Sequence, residues 1–186
     1  MSRIDDLIKE HCPDGVTWMP LGEATENLDN LRKPVTKSDR NAGVYPYYGA
    51  NGIQDYVEDF IYDDTLLLVG EDGSVIQPDG SPVVNWSTGK VWVNNHAHVL
   101  RAWRDDVNLR FVYHYLHVID VSPYVTGGTQ KKINQSNLNR IRIPVPPIEV
   151  QREIVDILDK FTQLEAELEA ELEAELRSEE HTSELQ

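Results

Sequence analysis

Ile-Pro-Val-Pro-Pro-Ile-Glu-Val-Gln-Arg-Glu-Ile-Val-Asp-Ile-Leu-Asp-Lys-Phe (143–161) is where the chain changes its pattern. Upstream, Ile141-Arg142-Ile143 alternates like an exposed strand, and Pro144, Pro146 and Pro147 end it, because proline has no N–H to give a ladder. From Ile148 the apolar period lengthens. Ile154, Ile157, Phe161, Leu164 and Leu168 are spaced 3, 4, 3, 4, the heptad seam of a helix that packs along a partner. From Leu164 the text repeats Leu-Glu-Ala-Glu, with leucines at 164, 168, 172 and 176. A four-residue step overshoots a helical turn by about 40°, so the stripe through Leu172 spirals slowly and suits a supercoil. A lone acidic helix in water is the plain alternative. Ile154, Ile157 and Phe161, stranded in solvent in that case, favour a helix that pairs.

Working outward, Gly127-Gly128-Thr129-Gln130-Lys131-Lys132 is a polar glycine-rich loop, and Asn134 or Ser136 opens a short turn after it. Val107, Leu109, Phe111, Val112, Tyr115, Leu116 and Ile119 fit one helical face over 106–119, with Asp105 or Asp106 as its cap. The long middle section is cut into short β-like runs by Asn51-Gly52, Asp72-Gly73, Asp79-Gly80 and Thr88-Gly89. Leu66–Val69, apolar without interruption, reads as a central strand. Ile4, Leu7 and Ile8 mark a short helix over 3–10, which the turn Cys-Pro-Asp-Gly (12–15) ends. The expected fold is α+β: an irregular β-rich domain (1–147) with short flanking helices, then one long C-terminal coiled-coil-type helix (148–176).

The charge is unevenly placed. The 186-residue chain has a net charge of −15. Residues 1–150 hold 14 Lys and Arg against 20 Asp and Glu, a net of −6, and residues 151–186 hold 3 against 12, a net of −9. A generic DNA binder is basic, so weak non-specific DNA binding is expected unless a partner supplies positive charge. No apolar run is long enough to cross a membrane. The start lacks a signal-peptide core, and the single cysteine, Cys12, has no disulfide partner. Together these point to the cytoplasm and to an inert thiol.

Catalytic patterns are thin. His96-Ala97-His98 on a strand would turn both rings to one side, and His114 and His117 lie a helical turn apart, but neither pair has a third ligand at a metal-site spacing. Gly70-Glu71-Asp72-Gly73-Ser74 is not a nucleophile elbow, and its acids repel phosphate. Nucleic-acid contacts fit better. In the loop 127–132, Gly128 allows close backbone approach, Thr129, Lys131 and Lys132 can donate to phosphates, and Gln130 offers the bidentate amide that matches adenine. A solvated surface loop is the equal alternative. Tyr45-Pro46-Tyr47-Tyr48-Gly49-Ala50-Asn51-Gly52 presents hydroxyls and an amide, with Tyr47, Tyr48 and Asn51 as candidates, although tyrosines also pack β-cores. Arg32, Lys33, Lys37 and Arg40 form a small basic stretch that can follow a phosphate backbone.

The ordered set of motifs resembles a known family. Met1–Ile8, Cys-Pro-Asp-Gly-Val (12–16) and Pro-Leu-Gly-Glu (20–23) look like the start of type I restriction–modification specificity subunits. Tyr45–Ile53, Leu66–Gly73 and Val93–Leu100 resemble further members of the pattern, and 127–161 is the most specific stretch. The resemblance spans about 1–176. It implies a target-recognition domain followed by the first spacer helix, reading one half of a split double-stranded DNA target. Packing or polar contact with DNA is favoured over a metal for His96 and His98, Asn134 lies in that most specific stretch, and Ile154, Ile157, Phe161, Leu164, Leu168 and Leu172 form the helix-pairing seam. The resemblance further implies a non-catalytic subunit. S-adenosylmethionine, ATP and magnesium would belong to partner modification and restriction subunits.

Such proteins usually carry two recognition domains separated by two antiparallel helices, whereas one of each is present here. Residues 177–186 match the conceptual translation of a sequencing adapter, so they are expected to be non-native, and truncation is favoured over a natural half-subunit that pairs with itself. Three alternatives remain. One is the recognition domain of a fused restriction–methylation enzyme. Another is a non-DNA interaction module with a β-rich head on a coiled-coil stalk. The third is a metal-dependent hydrolase using His96 and His98.

Overall fold

The computed structural model describes residues 3–73 and 75–184, with side chains as far as Arg177. Ser74 and the side chains of the adapter-like tail beyond Arg177 lie outside the described residues. Helix α1 (Arg3–His11) leads into β1 (Thr17–Pro20), a one-turn α2 (Leu21–Ala24) and β2 (Thr25–Asn27). Strands β3 (Ala42–Gly49), β4 (Gly52–Val57), β5 (Tyr62–Gly70), β6 (Val84–Val93) and β7 (Ala97–Ala102) follow. The chain closes with α3 (Leu109–Leu116), α4 (Gln135–Arg140), β8 (Arg142–Val145) and the long α5 (Ile148–Glu184).

The main sheet has the order β2-β7-β5-β6-β3-β4. All pairings in it are antiparallel except β3 with β6, where Tyr47 faces Trp92 and Tyr48 faces Val93. The central strand is β5, and its unbroken apolar run has a simple cause: both of its faces are covered. Leu67 and Val69 enter one core with α2, α3 and α4, while Leu66 and Leu68 enter a second core with Tyr48, Tyr62, Val91 and Val99. Side chains alternate across a strand, so a strand covered on both sides needs apolar residues at every position.

Some elements differ from the sequence expectation. The expected 106–119 helix is shorter, because Asn108 rather than an aspartate caps it, its side-chain oxygen accepting from the N–H groups of Arg110 and Phe111. The run ending at Val145 is less exposed than its alternation suggested. It pairs antiparallel with β1, and Ile141 and Ile143 are fully buried.

Where the domain meets the long helix, Gln151 is completely buried. Its amide nitrogen donates to the carbonyls of Asp106 (2.8 Å) and Pro146 (2.7 Å), and its oxygen accepts from the N–H of Asn108 (2.8 Å). Asp159 adds a second fastening, accepting from Arg110 at 2.9 Å and bonding His114 at 2.7 Å. Beyond this joint the helix leaves the domain. Ile154 and Ile157 are half-buried, but Phe161, Leu164, Leu168 and Leu172 are each more than half exposed. The expected seam thus runs along α5 without a cover among the described residues.

Candidate nucleic-acid interface

The glycine-rich loop is a closed finger. Thr126 and Lys132 exchange both backbone hydrogen bonds, at 2.7 and 2.8 Å, and residues 127–131 project beyond that pair into solvent. Gly127 has φ +87°, and a Cβ there would lie 2.2 Å from the Gln130 carbonyl oxygen, so the turn admits only glycine. Thr129, Gln130 and Lys131 are exposed, and the Lys131 ammonium has no partner among the described residues. Asn134 turns away from this tip. Its side chain caps α4 by accepting from the N–H of Asn137 at 2.9 Å.

A buried ion network sits under the finger. His98, fully buried, bonds the Asp29 carboxylate through Nδ1 at 2.6 Å and the Ile133 carbonyl through Nε2 at 2.7 Å. A carbonyl only accepts, so Nε2 carries the hydrogen. Arg32 donates to Glu71 at 2.5 Å and to the Ala97 carbonyl at 2.8 Å, and Lys132 reaches Glu71 at 3.1 Å. Burial pushes the Asp29 carboxyl upward. The hydrogen bond and charge of His98, the N–H of Val99 and the charge of Arg32 outweigh it, so the group sits below the usual carboxylate range.

Asp29, Glu71 and His98 place a potential metal ligand atom each within 4.8 Å of one another. Both ring nitrogens of His98 and the carboxylates are already engaged, and a cation would have to displace Arg32. The cluster is built as a structural network rather than a metal cradle.

Several candidates are therefore committed elsewhere. Arg32 is tied into the network instead of facing a phosphate. Tyr47 is buried, with the Arg40 guanidinium 4.0 Å above its ring and its hydroxyl on the Val35 backbone. Tyr48 belongs to the second core. His96 and His98 do not point the same way: His96 lies in the turn before β7, exposed and hydrogen-bonded to Asp72, while His98 points inward. His114 bonds Asp159, and His117 bonds the Tyr113 carbonyl at 2.9 Å. Amino-acid type alone did not reveal these internal partners.

Other candidates do gather. The finger lies beside Asp72 and Gly73, since Gly73 N–H donates to the Lys131 carbonyl at 3.2 Å, and Asp72 carries His96 to the same edge. From His96 an open groove of about 380 Å³ is lined by Asn94, Asn95, Gln54 and Tyr47 together with Pro34, Thr36 and Arg40. Lys33 and Lys37 are exposed on the segment that borders it. Asn51 stands at the tip of the β3–β4 hairpin. Gln54 was missed: it sits in an ordinary strand, with its Oε1 accepting from Asn94 at 3.3 Å. The edge thus combines amides, hydroxyls and cations on a concave surface, with no nucleophile–base pair among the residues described here.

The chain is similar to known proteins in sequence and in fold. Residues 13–178 match the family described as the type I restriction modification DNA specificity domain. A putative type I restriction enzyme specificity subunit of Haemophilus influenzae is 45% identical over 152 residues, covering 82% of this chain and 39% of that protein. The EcoR124I/EcoR124II specificity subunit of Escherichia coli is 30% identical, covering 90% of this chain and 42% of its own length. Among solved structures, the S subunit of a type I system from M. genitalium superposes with TM-score 0.65 at 18% identity over 90% of this chain and 45% of that one. The chain spans about two-fifths of the length of these sequence relatives.

Proposed function

The chain belongs to the type I restriction modification DNA specificity family, and from that membership we propose that it reads one half of a split double-stranded DNA target. The finger at 127–131 and the groove from His96 to Arg40 form the reading edge. Gln130 and Gln54 are the base-edge amides, and Lys131, Lys33 and Lys37 hold phosphates. The chain is non-catalytic. Its joined helix supports modification subunits, and restriction subunits enter through that complex. S-adenosylmethionine, ATP and magnesium act on those partners. The seam Phe161–Leu172 is covered by a second spacer helix, either from the rest of a longer protein or from a second half-subunit, and the complex works in the cytoplasm. No helix of the described residues is long and apolar enough to cross a membrane.

The observation that carries this proposal is the family match across 13–178, which takes in the finger, the groove and the helix joint together. Binding to short duplexes tests it. Phosphate contacts release counterions, so log K should fall linearly with log salt, by about 0.9 per phosphate neutralised. Affinity for a non-nucleic-acid ligand that ignores salt, with no duplex binding at low salt, would favour the β-rich interaction module instead.

A further inference from the structure

We propose that His98 is a positioning residue for target reading, holding the glycine-rich finger in register with the rest of the edge. This rests on the DNA-reading function proposed above. The finger's tip is exposed, and its neck is closed by the Thr126–Lys132 backbone pair. The Gly73 N–H, bonded to the Lys131 carbonyl, and the Lys132–Glu71 ion pair tie its closing side to residues 71–73. Its base is fixed at Ile133, which is fully buried. The Ile133 N–H donates to the Glu71 carbonyl at 2.9 Å, and its own carbonyl accepts from His98 at 2.7 Å.

The other ring nitrogen reaches Asp29, whose second oxygen accepts from the Val99 N–H at 2.8 Å. One imidazole thus bridges the segment that precedes the basic stretch, the strand that follows His96 and the root of the finger. A purely packing role at this position, between buried Ala97 and Val99, would be met by an apolar side chain. A buried polar ring costs free energy unless both of its nitrogens are bonded, and both are. The charged groups around it, Asp29, Glu71, Arg32 and Lys132, all pair within the same network.

The test uses the full chain with His98→Phe, which keeps a planar ring, somewhat larger than imidazole, and removes both bonds. His98→Gln, whose amide keeps one donor, carries the same comparison if the phenylalanine variant does not fold. Without DNA, hydrogen exchange is read at the Lys132 and Ile133 amides and at the β5 amides. Exchange at 132 and 133 should rise about tenfold while β5 stays protected, as for a local opening. With DNA, the ratio of affinities for the selected and a scrambled duplex should fall about tenfold, with the scrambled affinity and the salt slope unchanged. Unchanged exchange at 132 and 133, or an equal loss of protection throughout β5, would overturn the positioning role. If the native chain shows no sequence preference, the DNA-reading proposal falls, while the exchange comparison still decides what His98 positions.

Discussion

Gln130 and Lys131 are neighbours at one exposed tip, and their chemistry gives them different work. A primary amide can bond an adenine edge through two atoms at once, whereas an ammonium is a point charge that serves any phosphate. Gln130→Ala should therefore relax sequence preference, with a loss of about 1–3 kcal/mol confined to the selected sequence. Lys131→Ala should weaken all duplexes alike and reduce the salt slope by about 1. Parallel titrations on selected and scrambled duplexes separate the two, and an equal loss on both duplexes for Gln130→Ala would contradict its role. Asp29 gives a different signature. Its carboxyl is held below its ordinary value of 3.8, so it stabilises the fold above that pH, and the contribution is lost as pH falls through the lowered value. Thermal unfolding between pH 5 and pH 2 should show this loss, and Asp29→Asn should flatten the curve there; an unchanged slope would argue against it. What was legible in the sequence at this scale was the chemistry of exposed side chains. Arg32, Tyr47 and His98 were chosen by residue type, and residue type does not say that Glu71, Val35 or Ile133 has already engaged them. Those partners come from distant parts of the chain and leave no local pattern.

At the scale of elements, local signals were reliable where the element depends on its own residues. The central apolar run became β5, and the heptad spacing became α5. The first follows from a run apolar enough to be covered on both faces, the second from a period that any partner must respect. The β1–β8 pairing left no such signal, since Thr17 and Val145 meet only through the fold. The joint at Gln151 was equally invisible, being one glutamine in a charged helix. Gln151→Ala would remove the partner of the buried Pro146 carbonyl, and of the Asn108 N–H and Asp106 carbonyl at the edge of the joint. At about 1–3 kcal/mol for a buried group left unpaired, urea unfolding should show a loss of about 3 kcal/mol. A loss within experimental error would mean that the joint is held by Asp159 and packing alone.

For the whole molecule, the acidic balance and the bare seam belong together. A chain of net charge −15 has little general attraction for DNA, so under the proposed function its selectivity would come from the few cations and amides on one edge. Its helix carries an apolar stripe that a partner is expected to cover. Sedimentation at rising concentration should reveal association, and Leu168→Lys with Leu172→Lys should abolish it without altering the domain's unfolding. Association that survives both changes would place the contact elsewhere. DNA reading is tested most directly by selecting the full chain against randomised duplex DNA at two salt concentrations and sequencing what binds. Enrichment of one short motif, weaker at the higher salt and lost in Gln130→Ala, is the outcome required of a sequence reader. Binding with no enriched motif at either salt, or no binding at low salt, would contradict it.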